Sequence, residues 1–115
     1  MHELSIAREL VRMAEEAARA NGARKVREVR LRLGALSGVM EEALRLGYEA
    51  ACRDTLLEGS RLVIEPAPVR IHCPRCRRDV EPESVQLMYC PVCGAAGGTL
   101  VQGREIELAA LEIEK

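Results

Sequence analysis

Two cysteine pairs of identical spacing, Cys73-Pro74-Arg75-Cys76 and Cys90-Pro91-Val92-Cys93, constrain this chain more than any other feature. A C-x2-C pair puts two thiolates on one tight turn. Two such turns facing each other close a tetrahedral cage of four sulfurs, and thirteen residues separate the pairs here. The cage suits Zn(II), which imposes no geometry of its own and takes four thiolates in closed structural sites. An all-thiolate site also accommodates iron; zinc is the expectation. Two disulfides or a redox pair are the competing readings. Nothing in the chain looks secreted, and no thioredoxin-like βαβ pattern surrounds either pair. Four thiolates leave no open position to activate water, so the cage is expected to be a staple and not a hydrolytic centre.

The staple matters because the chain is short. Its 115 residues make one small domain, or one domain with a metal-bound appendage. There is no Phe or Trp and there are two Tyr, so the core must come from Leu, Val, Ile and Ala. The net charge of −1, with 30% charged residues, creates no bulk field for nucleic acid or membrane. No apolar run approaches membrane-spanning length and no signal peptide is expected, so the expected compartment is the cytoplasm.

Leu4, Ala7, Val11, Ala14 and Ala18 recur at helical spacing and predict an amphipathic helix that stops at Asn21-Gly22. Val29, Leu31 and Leu33 alternate with Arg30 and Arg32, as in a half-buried strand. After a turn at Gly34–Gly38, the residues Met40, Leu44, Tyr48, Ala51 and Cys52 mark one face of a second helix. Arg61–Glu65 reads as a second strand, Pro66-Ala67-Pro68 as a linker, and Arg104–Glu114 as a last strand. In that strand the apolar parity changes after Leu108, which predicts a bulge near Ala109. Strand, helix and strand in order predict a right-handed parallel crossover. The expected fold is α+β: a small mixed three-stranded sheet with two helices on one face, carrying an inserted four-cysteine zinc-ribbon-like unit. The expected boundaries are residues 1–68 with 99–115 for the α/β domain and 69–98 for the zinc-binding domain. The Pro-rich and Gly-rich flanks of the insert predict that it can move.

A second cluster stands at the start, Met1-His2-Glu3. His2 is too bulky for normal removal of the initiator methionine, so Met1 is expected to remain. The Met1 α-amine, the His2 amide and the His2 imidazole are then neighbours. The amine and the ring titrate near neutrality, at about 7.7–8.0 and about 6.5. A metal held by amine, amide and ring would sit in fused chelate rings, with the Glu3 amide or an outside ligand in fourth position. Square-planar nitrogen ligation favours Ni(II) or Cu(II) over zinc. The competing reading is a frayed, solvated terminus.

The opening Met1-His2-Glu3-Leu4-Ser5, the segment Arg32-Leu33-Gly34-Ala35-Leu36-Ser37-Gly38-Val39, Glu42-Ala43-Leu44-Arg45, the two cysteine pairs and Gly103-Arg104-Glu105 together resemble the HypA family of hydrogenase nickel-incorporation proteins. The resemblance spans essentially the whole chain in order. It implies a nickel metallochaperone for maturing [NiFe]-hydrogenase and, in some organisms, urease. It further implies a GTPase accessory partner, and delivery of Ni(II) cargo to the hydrogenase large subunit. By the same resemblance His2 carries the nickel imidazole, Met1 supplies the amine and Glu3 completes or tunes the site. Cys73, Cys76, Cys90 and Cys93 then hold structural zinc. Two departures touch packing and capping: Met40-Glu41-Glu42 where many relatives place a proline, and Leu46-Gly47-Tyr48 where relatives often have phenylalanine.

The remaining polar residues read as structural first. His72, directly before Cys73, is expected to be solvated or bonded to the zinc turn, with a part in nickel binding as the alternative. Cys52 lies on an apolar helix face and is expected to be a buried small residue. Arg27, Arg30 and Arg32 form the solvated face of a strand before they form a docking site for an acidic partner. Arg75, Arg77 and Arg78 are offset by Asp79, Glu81 and Glu83, and Tyr89 is the one aromatic near them, so nucleic-acid binding is not expected. No phosphate loop, H-E-x-x-H motif or activated nucleophile is present, so the chain is not expected to be an enzyme. The alternative function is a zinc-ribbon module for protein or nucleic-acid interaction without labile metal. A homodimer formed by exchanging the inserted unit is compatible with the flanks.

Overall fold

The computed structural model describes the backbone from residue 2 to residue 115 and the side chains from residue 3 onward. The predicted first helix is α1, His2–Ala20, and it buries Ala7, Leu10, Val11, Ala14 and Ala18. Its solvent face is laced by Arg12 between Glu9 and Glu16. Exposed pairs of this kind contribute a few tenths of a kcal/mol each, roughly, so the buried stripe decides the helix. The end is a Schellman closure. Gly22 takes φ +72°, its N–H donates to Arg19 O and the Ala23 N–H to Ala18 O.

Strand β1 follows at Lys25–Gly34, then α2 at Glu41–Ala51 and β2 at Arg61–Ala67. Strand β3 is Arg70–Cys73, β4 Arg78–Val80, β5 Thr99–Gln102 and β6 Ile106–Glu114. Among the described residues there are two three-stranded sheets, ordered β2-β1-β6 and β4-β3-β5. The first is mixed. Glu28 meets Arg61, Arg30 meets Glu65 and the Ala35 N–H meets Ala67 O, so β1 and β2 advance together in parallel. The Arg24 N–H bonds Glu114 O and the Gly34 N–H bonds Glu105 O, so β6 runs antiparallel to β1. Between those two bonds β1 advances ten residues and the partner nine, which leaves one extra residue on the β1 side. The expected irregularity of this ladder therefore has its extra residue in β1. There burial switches from Val26 and Glu28 to Val29 and Leu31; the burial of β6 also changes parity, from Leu108 to Leu111 and Ile113.

Three expectations are corrected. Pro66 and Ala67 are not a linker but the end of β2. As an edge strand, β2 loses no ladder bond to the missing proline N–H. Met40 does not share the apolar face of α2; it is the residue before the helix, with extended backbone, and is 68% exposed. The cysteine insert carries two short strands, β3 and β4, and a third, β5, follows it; the sequence pattern announced none of them.

The chain divides into two compact units. The first comprises residues 1–31, 39–65 and 107–115, the second residues 32–38 and 66–106. In the first, α1 packs on α2, and Leu44, Tyr48, Cys52, Leu57 and Leu62 join the α1 stripe and the buried β1 residues in the core. Gly47 lies at the helix contact: a Cβ there would sit 3.2 Å from the Ala7 Cβ and 3.6 Å from Glu3 O.

One buried charge belongs to this unit. Glu28 is 6% exposed and is bonded by Arg30 at 2.9 Å and Arg61 at 2.8 Å. Hydrogen bonds from Arg30 and then Arg61 hold its carboxyl below the ordinary 4.5. A carboxyl lowered by folding stabilises fully above its unfolded value and loses that contribution as pH falls through the folded value. Acid unfolding followed by circular dichroism is expected to show stability declining below pH 4.5, and Glu28→Gln is expected to flatten that decline. An equally steep acid profile in the variant would move the effect to other carboxylates.

Candidate metal centre

Each cysteine pair is built on the same turn. In the first, the Arg77 N–H donates to Cys73 O at 2.8 Å; in the second, the Gly94 N–H donates to Cys90 O at 2.8 Å. The residue after each second cysteine lies in the left-handed region, Arg77 at φ +56° and Gly94 at φ +75°. Glycine reaches that conformation freely; an arginine there is uncommon and is held by the turn. The first turn also closes the β3–β4 hairpin, whose register pairs Cys73 with Arg78 and His72 with Asp79.

These turns bring the Sγ atoms of Cys73, Cys76, Cys90 and Cys93 within 4.8 Å of one another. The Cys73–Cys93 and Cys76–Cys90 sulfurs lie 3.6 Å and 3.9 Å apart. A tetrahedral zinc with Zn–S of about 2.3 Å requires sulfur–sulfur edges of about 3.8 Å. The donor set fits zinc, and all four cysteines are free thiols, which leaves no disulfide among them. Cys73 and Cys90 are buried at 1% and 2% exposure, while Cys76 and Cys93 reach the surface. The buried sulfurs belong to a small core with Val69, Ile71 and Val80, against which Leu36, Met88 and Leu100 pack. A Cβ on Gly98 would press to 3.0 Å from Ile71 and 3.1 Å from His72 O, so the returning chain runs close over β3.

The sulfurs do not share their protons evenly. The Cys76 thiol is pushed up to about 12, first by the neighbouring Cys93 side chain and then by desolvation. The Cys90 thiol falls to about 7, because the backbone N–H of Cys93, followed by that of Val92, stabilises its thiolate. A ligand set of this kind exchanges protons for metal.

His72 is not part of the cluster. Its Nδ1 lies 2.9 Å from Asp79 Oδ1 across the β3–β4 hairpin that carries the first cysteine turn. Cys52 is buried at 3%, its thiol raised by burial and placed near Ser60, whose Oγ lies 2.6 Å from the Tyr48 hydroxyl; it behaves as a packing residue. Arg27 pairs with Glu114, Arg30 with Glu28 and Glu65, and Arg32 with Gln102, so each arginine of the row is engaged within the chain.

Of the terminal trio, Met1 lies outside the described residues, as does the His2 side chain; the His2 backbone opens α1. Glu3 is in the first turn of α1, and its Oε2 accepts the Met40 N–H at 3.2 Å. Sequence reasoning missed this contact, since the two residues are 37 apart. Among the described residues, no helix is long and apolar enough to cross a membrane.

A family model described as hydrogenase/urease nickel incorporation, metallochaperone, hypA, matches residues 1–113. A hydrogenase maturation factor HypA of Roseiflexus sp. is 52% identical over 99% of this chain and 93% of its own length. The protein of that name from Geobacter metallireducens is 44% identical over 99% of this chain and all of its own. The solution structure of the Ni metallochaperone HypA from Helicobacter pylori superposes with a TM-score of 0.70 at 25% identity, covering 97% of each chain. Full-length coverage by the family model and relatives well above 30% identity establish the relationship: the chain belongs to the HypA family of nickel metallochaperones for hydrogenase and urease maturation, proteins that serve as maturation factors and not as enzymes.

Proposed function

We propose that this chain carries Ni(II) on the Met1 α-amine, the His2 amide and the His2 imidazole, with Glu3 tuning the site. In this reading Cys73, Cys76, Cys90 and Cys93 hold structural zinc. The nickel site belongs to residues 1–68 with 99–115, and the zinc site to residues 69–98. The cargo passes, with a GTPase partner, to the [NiFe]-hydrogenase large subunit in the cytoplasm. The observation that carries the reading is the Met1-His2-Glu3 opening within a match to the nickel-incorporation family. Amine, amide and imidazole give the square-planar nitrogen field that nickel favours. A site of few ligands at a terminus lets an incoming ligand bind before the old ones leave, so the metal moves by exchange and is never free. The chain has no phosphate loop, so nucleotide hydrolysis falls to the partner.

The test is a Ni(II) titration of zinc-loaded protein, wild type against His2→Ala. Wild type is expected to bind one equivalent with a square-planar absorption spectrum. The variant is expected to lose that spectrum and to bind at least about a hundredfold more weakly, since losing only a group that orients a ligand already costs about 10- to 100-fold. Equal binding by both proteins would remove His2 from the site.

A further inference from the structure

We infer that Glu3 is a positioning residue, which fixes the first turn of α1 on the N-terminus of α2 and so preorganises the metal-binding terminus that precedes it. The inference rests on the nickel reading above.

The argument begins with what α2 lacks. Its N-cap residue, Met40, offers no side-chain acceptor, and no cap hydrogen bond forms from its own side chain. In a capping box the N-cap N–H is taken by a Glu or Gln three residues into the same helix. Here that position is Ala43, which has no acceptor. The Met40 N–H is met instead by Glu3 Oε2 at 3.2 Å. A carboxylate at this place also faces the positive end of the α2 dipole, which it shares with Glu41 and Glu42 of the first turn. The cap of the second helix is thus supplied by the first.

Gly47 supports the same contact from the side. A Cβ there would lie 3.5 Å from Leu4 Cα and 3.6 Å from Glu3 O, in addition to 3.2 Å from Ala7 Cβ. The first turn of α1 therefore lies within ordinary contact of the α2 backbone at Gly47, and a bulkier side chain there would push against it. A carboxylate bond and a glycine contact hold one turn at two points. The first turn of an isolated helix is where fraying concentrates; docking it removes conformations that cannot chelate. When only a fraction of molecules is competent, apparent affinity falls by that fraction.

The bond to Met40 gives the carboxylate a task that needs no ligation. An oxygen engaged with a backbone N–H serves as acceptor, and a neutral amide oxygen keeps that bond while giving up the charge. Glu3→Gln keeps an acceptor at the same reach, and Glu3→Ala removes it. The experiment compares nickel affinity in Glu3→Ala, Glu3→Gln and Gly47→Leu, alongside His2→Ala, all zinc-loaded. Metal-free amide hydrogen exchange of the first α1 turn is read on the same samples. Glu3→Ala is expected to bind nickel about three- to tenfold more weakly, the equivalent of one net hydrogen bond, with faster exchange in the first turn before any metal is added. Glu3→Gln is expected to stay within about twofold of wild type in both readouts. Gly47→Leu is expected to reproduce the Glu3→Ala pattern with Glu3 intact. If Glu3→Gln loses affinity as fully as Glu3→Ala while exchange is unchanged, the carboxylate acts on the metal itself and the inference is overturned. Unchanged exchange and affinity in Glu3→Ala would overturn it as well. If His2→Ala binds as wild type does, the failure lies with the nickel reading, and exchange in the metal-free protein still decides the docking role.

Discussion

Replacing Cys90 with serine, or stripping zinc with a chelator, is expected to unfold residues 66–106 while α1 and α2 stay protected. The second unit has little else to hold it. Its strands β3, β4 and β5 are four, three and four residues long. Its buried core is Val69, Ile71, Cys73, Val80 and Cys90, so two of the five core side chains belong to the four-cysteine cluster. A structural zinc contributes apparent binding energy of about 10–16 kcal/mol to folding small metal domains, more than three aliphatic side chains at about 1.5–3 kcal/mol each. Serine at a site 2% exposed would also strand a hydroxyl among sulfurs. Amide hydrogen exchange of the zinc-loaded protein, the chelated protein and Cys90→Ser reads the outcome segment by segment. Loss of protection in α1 and α2 together with 66–106 would mean that the units fold as one. Retained protection in 66–106 would mean that no metal holds it.

The proton inventory gives the same experiment a pH axis. Zinc must displace the proton of Cys76, whose thiol stands at about 12, at any pH near neutrality. Cys90, at about 7, is already a thiolate above that pH and begins to compete for protons below it. Apparent zinc affinity is therefore expected to fall as pH is lowered, and the fall is expected to steepen by about one proton below pH 7. Competition against a chromophoric chelator on both sides of pH 7 measures the slope. A slope that does not change there would contradict the role of the Cys93 and Val92 N–H groups.

How far the sequence could carry this depended on range. The α1 stripe of Ala7, Val11, Ala14 and Ala18 is a periodic signal over a long window, and Asn21-Gly22 is local chemistry, so both were legible. The cysteine cage was legible because the chemistry of four thiolates admits few geometries. Strands β3, β4 and β5 were not, since three or four residues cannot display a period of two. Pro66 misled because its cost depends on whether the strand lies at an edge, a property of the sheet and not of the dipeptide. Met40 misled because an apolar residue one position before a helix continues the apolar spacing without joining the helix. The Glu3–Met40 bond joins residues 37 apart, and no local pattern encodes it.

Gly34→Ala is expected to destabilise the protein by about 4 kcal/mol or more, a large share of the roughly 5–15 kcal/mol that holds a domain of this kind. Nothing in the backbone angle of Gly34 demands glycine; the demand comes from across the gap. A Cβ there would fall 2.2 Å from Gly103 O, 2.3 Å from Gly103 C and 2.7 Å from Arg104 N. All three are backbone atoms, which cannot swing away as a side-chain tip does. They are also tied in place. Gly103 O accepts the Leu36 N–H at 2.6 Å, the Gly103 N–H donates to Glu105 Oε1 at 2.6 Å, and the Gly34 N–H donates to Glu105 O at 2.7 Å. Gly103 is itself confined: its φ is +136°, and a Cβ on it would meet Val69 at 3.3 Å. Relief would break bonds worth about 1 kcal/mol each, on top of about 1–3 kcal/mol for overpacking. Gly38→Ala is the control. There the backbone itself is left-handed, at φ +77°, but a Cβ would have nothing within 4 Å, so the expected loss is only about 1–2 kcal/mol. Urea unfolding of the zinc-loaded variants compares them directly. If Gly34→Ala unfolds no earlier than Gly38→Ala, the 103–105 segment yields at little cost, and the close approach of these two backbones is not what keeps glycine at position 34.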